Sequence, residues 1–150
     1  MGDIEERPTL NLYAKAAVND QFGLSSGLQL GVGSSGKGGL LNVGASYGVS
    51  LAHATVMNFN VGATLATTDY MRDYFGVSAA QASASGYKRY TPDSGLRDVT
   101  LGLGLHHQIS REWMLFTSIK STTLLTAAKD SPLVRKGTSQ SGFVAVAYSF

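Results

Sequence analysis

Three segments of the chain alternate between apolar residues and small or polar residues. Between positions 41 and 51 the odd residues are Leu, Val, Ala, Tyr, Val and Leu, and the even residues are Asn, Gly, Ser, Gly and Ser. Residues 57–65 and 99–109 follow the same pattern. A period of two places successive side chains on opposite faces of a β-strand and excludes a helical period here. Four weaker segments, 9–18, 24–33, 113–125 and 141–150, bring the expected number of strands to seven.

The length of these strands and their glycines favour a membrane barrel. Strands of about ten residues match a tilted transmembrane strand, whereas soluble strands more often have about 5–6 residues. Only 15% of the residues are charged, against about 25% in an average globular domain. The glycines share the polar face, and a narrow barrel with an inward polar face needs small residues there, while its apolar face contacts lipid. These glycines are Gly27, Gly31, Gly44, Gly48, Gly62, Gly102 and Gly104.

We therefore expect an all-β fold, an antiparallel up-and-down transmembrane β-barrel with about 7–8 strands in a single domain of residues 1–150. The connections between the expected strands support this, because short and longer ones alternate along the chain. Outer-membrane barrels have short periplasmic turns and longer external loops. Residues 68–97 are thus expected to form a long external loop. The short connections are 19–23, 52–56 and 110–112, and the longer ones are 34–39, 68–97 and 126–140.

The last strand ends on the aromatic residue Phe150, which shares a face with Val144, Val146 and Tyr148. This resembles the C-terminal signal by which the insertion machinery recognises outer-membrane proteins of Gram-negative bacteria. If Phe150 is periplasmic, seven strands place the start of the first strand outside, whereas such barrels have an even number of strands. We therefore expect the C-terminal part of a longer chain and a larger barrel. The charged first residues, which lack the apolar segment of a signal peptide, agree with this.

Composition excludes several classes of function. The absence of cysteine excludes a disulfide scaffold, a thiol nucleophile and cysteine-based metal sites. A net charge of +2 without a basic run gives no footprint for nucleic acid.

The segment Gly31–Gly38 lacks the Ser or Thr that a P-loop needs after Lys37, so a hairpin loop is favoured. His106 and His107 are adjacent on a strand and point to opposite faces, which disfavours a shared metal. No catalytic, cofactor-binding or metal-binding residue is expected.

Two groups of residues are the candidates for function. Lys15, Asp98, His106 and Lys120 lie on the inward face and are candidate lumen-lining residues, either lining a pore or neutralising one another. Inward placement is expected in any case, because Lys or Arg on the lipid face costs about 2–4 kcal/mol at mid-bilayer. The other group is a candidate contact surface in the long loop, or an inward-folded plug, and a loop that packs only on itself is equally expected. It consists of Tyr70, Arg72, Tyr74 and Phe75. Within the same loop, Ser78 followed by Gln81 predicts a short helix with a capping box.

Several stretches resemble the MipA/OmpV family (the MltA-interacting protein family) of outer-membrane proteins. The most specific is Tyr70-Met-Arg-Asp-Tyr-Phe-Gly-Val77, followed by Ser78-Ala-Ala-Gln-Ala82. The others are Met1–Ile4, Gly95–Val99, Trp113–Phe116, Asp130–Val134 and Val146–Phe150. The resemblance implies a location in the Gram-negative outer membrane. It also implies a scaffold that links a lytic transglycosylase to a murein synthase. The resemblance implies no catalytic motif.

Three functions stay open at this point. The first is a non-enzymatic envelope scaffold for murein-synthesising and murein-hydrolysing enzymes, although the short turns around Asp20, His53 and Arg111 offer it little area. The second is a small-solute outer-membrane channel whose inward polar face sets selectivity. The third, a soluble lipocalin-like barrel, is the least supported because of the terminal Phe150 and the alternating connections.

Overall fold

A computed structural model describes residues 8–32 and 38–150 of the chain. The resemblance at Met1–Ile4 and most of the Gly31–Gly38 segment lie outside the described residues. Within them, the chain forms one antiparallel sheet of seven strands that follow one another in chain order. The all-β, up-and-down architecture expected from the alternation is confirmed. The strands are β1 (Thr9–Ala17), β2 (Phe22–Gly31), β3 (Gly39–Ala52), β4 (Thr55–Ala66), β5 (Gly95–Gln108), β6 (Trp113–Leu124) and β7 (Thr138–Tyr148).

The sheet is open in the described part of the chain. There, β1 pairs only with β2, and β7 pairs only with β6. All described residues of these two strands are exposed. The expectation of a larger barrel therefore stays a prediction.

Three helices lie in the long connections: α1 (Thr68–Phe75), α2 (Ala79–Ser85) and α3 (Thr126–Lys129). Residues 68–97, expected as one loop, thus contain two helices, and their last three residues already belong to β5. None of the helices in the described ranges has the length and apolar character needed to span a bilayer.

The register of the strands collects the apolar residues on one face. Directly paired residues lie on the same side of a sheet. Tyr47 pairs with Phe59, which pairs with Leu103, and Leu103 pairs with Ile119. We call this side the apolar face. Followed through the register of all seven strands, it carries no Asp, Glu, Lys or Arg, although most of its large side chains are exposed.

The opposite side, which we call the polar face, holds the glycines. Gly44 pairs with Gly62, and Asn60 pairs with Gly102. A cavity of about 600 Å³ lies against this face. Because residues from β1 to β5 line the cavity, the sheet is concave on this side. The glycines expected on a crowded inward face therefore lie on the concave side of the sheet.

Tight turns connect the strands at one end of the sheet. The side chain of Asn19 accepts hydrogen bonds from the backbone N–H groups of Gln21 (2.9 Å) and Phe22 (2.7 Å). The Ser110 hydroxyl accepts the backbone N–H of Trp113 at 3.2 Å. Asn and Ser side chains close such turns by replacing backbone acceptors. The long connections, with all three helices, lie at the other end.

Aromatic residues gather on the apolar face toward the short-turn end. Trp113 pairs with Tyr148, and their ring centroids are 4.9 Å apart. The ring of Phe150 follows at 6.4 Å from that of Tyr148. Phe22, at the start of β2, pairs with Tyr47. Trp and Tyr at this level are typical of the interfacial girdle of membrane barrels.

Candidate functional site

The two longest described connections pack together over one end of the sheet. We call residues 67–94 and 125–137 the loop cap. Its centre is Met71 of α1, which is fully buried beside Ala128 of α3. Leu40 of β3 and Ala66 of β4 complete this core from the polar side of the sheet. Because these are the main buried apolar residues of the described chain, the cap is its best-packed region.

The position of α1 is fixed by its first residues. Thr67 is the N-cap, and its hydroxyl accepts the backbone N–H groups of Tyr70 (3.4 Å) and Gly39 (2.9 Å). The backbone N–H of Thr67 donates to the Gly39 carbonyl at 3.0 Å. A Cβ atom at Gly38 would lie 3.0 Å from the Cα of Tyr70. Glycine at this position therefore lets α1 sit directly against the start of β3.

The expected short helix with a capping box is present as α2. The Ser78 hydroxyl accepts the Gln81 backbone N–H at 3.3 Å, and the Gln81 side chain accepts the Ser78 backbone N–H at 2.9 Å. Gly86 ends the helix in the left-handed conformation, with a φ of 76°. Both ends of α2 thus follow from local sequence signals.

Side-chain hydrogen bonds join the two connections. The Tyr90 hydroxyl donates to the Ala127 carbonyl at 2.8 Å, and the buried Ser131 hydroxyl donates to the Phe75 carbonyl at 2.6 Å. The Thr126 hydroxyl donates to the Leu96 carbonyl at 2.8 Å, which ties α3 to β5. The cap is therefore one packed unit.

A β-bulge places two charges at the junction of cap and sheet. Thr64 pairs with Asp98 and Leu65 pairs with Leu96, so Arg97 is an additional residue in β5. A bulge redirects side chains at the point where it occurs. Here Arg97 and Asp98 form an ion pair through Nε and Oδ2, and Asp98 is only 2% exposed. A carboxylate this deeply buried requires such a partner.

Tyr70 extends this pair into the cap. Nη1 of Arg97 donates to the Tyr70 hydroxyl at 3.0 Å, and the guanidinium lies 5.5 Å from the centre of the Tyr70 ring. The ring of Tyr74 stacks on that of Tyr70 at 4.3 Å. Burial raises the pKa of Tyr70 above its ordinary value, and the charge of Arg97 opposes that rise. Arg97 thus connects the sheet to α1.

The structure divides the four candidate loop residues. Tyr70 and Phe75 are half-buried and pack against the core of the cap, whereas Arg72 and Tyr74 are exposed. Nη2 of Arg72 lies 4.0 Å from Oδ1 of Asp93. Only Arg72 and Tyr74 are therefore available to a partner on the outside of the cap.

The four candidate lumen residues all lie on the polar face. Lys15 pairs with Ser25, Asp98 pairs with Thr64, and Lys120 pairs with Gly102 and Ser141. His106 pairs with Phe116, and their rings meet edge to face at 4.9 Å. They do not form one cluster but are spread along the face, with Asp98 beside the cap.

His107 points to the other side of the sheet, as expected for adjacent residues of a strand. Its Nδ1 lies 2.8 Å from the Thr55 hydroxyl. No group of three or more His, Cys, Asp or Glu residues that could hold a metal ion occurs in ranges 8–32 and 38–150.

Two adjoining cavities follow the polar face. The cavity of about 600 Å³ includes Lys15 in its lining, and a second of about 480 Å³ includes His106 and Lys120. Ser46, Asn60 and Thr100 line both, so the two cavities are neighbours on this face. Their hydroxyl and amide groups can donate and accept hydrogen bonds in both cavities.

Sequence reasoning missed two residues of this region. The sequence pattern indicates no role for Met71 or Arg97 within residues 68–97. In the structure, Met71 forms the core of the cap, and Arg97 links the cap to the sheet. A signal for Arg97 was available: Arg97 and Asp98 come directly before the alternation of residues 99–109.

Comparison with known proteins gives one positive result. A family model described as MltA-interacting protein MipA matches residues 1–150. No curated protein matches the sequence.

Proposed function

The chain belongs to the MltA-interacting protein MipA family, and we propose that it is a non-enzymatic β-barrel scaffold of the Gram-negative outer membrane. Its partners on this proposal are murein enzymes, a lytic transglycosylase and a murein synthase. The family description itself names an interaction with MltA.

The observation that carries the membrane part of the proposal is the absence of charge from the apolar face. The register of the described strands places Lys15, Asp98 and Lys120 on the polar face and no Asp, Glu, Lys or Arg opposite them. A soluble sheet gains from such exclusion only where the face is packed in a core, whereas most large side chains of this face are exposed. Lipid against the face penalises each Lys or Arg by about 2–4 kcal/mol at mid-bilayer.

The end of the chain supports insertion by the outer-membrane machinery. Val144, Val146 and Tyr148 lie on the apolar face, and the ring of Phe150 is 6.4 Å from that of Tyr148. We include recognition of Phe150 by that machinery in the proposal. The short-turn end is then periplasmic, and residues 67–94 form an external loop.

The surface for murein enzymes follows from this orientation. It consists of the short turns, residues 18–21, 53–54 and 109–112, which carry the charged residues Asp20, Arg111 and Glu112. The turns are small, so we expect an interface at the low end of the usual size range, of about 1,200 Å² or less.

Capture of purified MltA by the detergent-refolded chain tests the scaffold. We expect binding that weakens when Arg111→Glu is combined with Asp20→Lys in the turns. The matched control is Arg72→Glu in the cap, at the other end of the sheet, which leaves capture unchanged. The proposal is contradicted if the folded chain captures no MltA. It is also contradicted if the turn variant and the Arg72→Glu control weaken capture equally.

A second candidate function is a small-solute channel. It is favoured by the two neighbouring cavities on the concave polar face, which share Ser46, Asn60 and Thr100 in their lining. Conductance across a planar bilayer distinguishes the two functions, because a pure scaffold stays silent.

A further inference from the structure

The polar face carries an excess of positive charge, and charge on the wall of a channel determines which small solutes pass. We propose that this face is the wall of an anion-selective path for small solutes, and that Lys120 and Lys15 determine the selectivity. The inference rests on the channel function proposed above and adds to it the class of solute.

The first step is the count of charge on this face. The strand register places Lys15 and Lys120 there, together with one carboxylate, Asp98. Asp98 is 2% exposed and is paired with Arg97, so it contributes no free negative charge to the cavities. Within the described ranges, neither Lys15 nor Lys120 has an ion-pair partner. The face therefore has a surplus of positive charge.

The second step is where these cations lie. Arg97 is at the cap end of β5, Lys120 lies midway along β6, and Lys15 lies near the short-turn end of β1. In the strand register, Lys15 lies in the row of Ser25, Gly44, Gly62 and Thr100, and Lys120 lies in the next row on the same face, with Gly102, Asn60 and Ser46. The two lysines therefore occupy neighbouring rows of the polar face, while Arg97 is already paired with Asp98.

The third step is what lies between the two lysines. Ser46, Asn60 and Thr100 line both cavities, the one that holds Lys15 and the one that holds Lys120. Their hydroxyl and amide groups can donate hydrogen bonds to an anion along the way. Glycines on the same face, such as Gly44 and Gly102, leave room for the solute.

The fourth step is the electrostatic consequence. Unpaired cations on a concave wall of low dielectric concentrate anions and repel cations. Lysine and arginine rings give anion selectivity in known pores by this means. The carboxylate of Asp98 is already neutralised by Arg97. Among the described residues, this face therefore has no free negative charge that would attract cations.

The test uses the full chain, refolded in detergent and shown to be folded by a shift in gel migration between unboiled and boiled samples. Its reversal potential is measured in planar bilayers across a KCl gradient. We expect a chloride-to-potassium permeability ratio above unity that falls towards unity in Lys120→Gln and in Lys15→Gln. The matched control is Lys88→Gln, which removes an exposed lysine of the cap and leaves the ratio unchanged.

The other outcomes overturn the inference in distinguishable ways. A conducting chain that prefers potassium, or one whose selectivity is unaffected by both lysine changes, overturns anion selectivity and leaves the channel standing. A chain that folds but never conducts overturns the channel and this inference together. Capture of MltA is measured without a bilayer, so neither conductance result tests the scaffold function.

Discussion

The hydroxyl oxygen of Tyr70 accepts a hydrogen bond of 3.0 Å from Nη1 of Arg97, which joins helix α1 to strand β5. The same guanidinium neutralises Asp98, a carboxylate that is 2% exposed. One residue thus satisfies a buried charge in the sheet and holds the loop cap in place. The stability of the junction between the sheet and the cap is therefore expected to depend on Arg97.

Removing Arg97 is expected to be costly. Arg97→Ala leaves Asp98 buried without its partner, which destabilises a protein by about 3 kcal/mol or more. The control is Arg72→Ala, whose exposed partner Asp93 lies at 4.0 Å, and a pair of this kind contributes less than about 1 kcal/mol. Denaturant unfolding in detergent, followed by circular dichroism, measures both. Equal effects of the two changes would show that Arg97 is not a structural link.

Met71 is expected to hold the cap together without holding the sheet. It is fully buried, so Met71→Ala opens a cavity and costs about 2–5 kcal/mol. Limited proteolysis is expected to cut residues 67–94 and 125–137 faster, while β-type circular dichroism persists. Met114→Ala, which removes a half-exposed methionine from β6, is the control and should leave the cap resistant. Loss of the sheet in Met71→Ala would contradict a separate cap.

The ionisation of Tyr70 predicts how the cap responds to alkali. Burial raises the pKa of Tyr70, so the folded cap favours the neutral phenol. This contribution to stability is complete below the unfolded pKa, about 10, and is lost as the pH rises through the folded pKa. Absorbance of tyrosinate should therefore show a late component that Tyr70→Phe reduces. Burial also raises the pKa of Tyr90, so Tyr90→Phe should reduce the late component as well. A late component unchanged by Tyr70→Phe would show that Tyr70 is not buried in the cap.

Two paired glycines on the polar face are expected to differ in their tolerance of a methyl group. A Cβ atom at Gly44 would lie 2.8 Å from Oγ of Ser25 and 3.2 Å from the Val61 carbonyl oxygen. At Gly62 the nearest atom is the Val43 carbonyl oxygen at 3.5 Å, an ordinary contact. Gly44→Ala should thus destabilise, whereas Gly62→Ala should be neutral or stabilise by up to about 1 kcal/mol through the unfolded chain. Unfolding in detergent measures the pair, and the reverse order would contradict the crowding described on this face.

The sheet was predictable from the sequence because one physical rule decides it. Where one face contacts an apolar phase, every second residue must be apolar, and segments such as 41–51 show this without interruption. All seven strands and their order followed from that rule and from the turns. The helix α2 also followed, because Ser78 and Gln81 form its cap within the segment itself.

The cap was not predictable, because its contacts are long-range. Thr67 fixes α1 through Gly39, and Ser131 reaches back to Phe75. The bulge that directs Arg97 towards Tyr70 interrupts the period of two, so counting alternate residues cannot locate it. For the same reason the sequence could name Tyr70 and Phe75 as loop residues but could not divide them from the exposed Arg72 and Tyr74.

The central claim is that the apolar face contacts lipid and the polar face does not. The chain has no cysteine, so single cysteines carrying a nitroxide can be placed along β4 without background. After reconstitution in lipid, residues 57, 59, 61 and 63 should be more accessible to oxygen, and residues 58, 60 and 62 more accessible to a water-soluble nickel complex. Accessibility to nickel at Phe59 and Val61 equal to that at Asn58 and Asn60 would contradict the account.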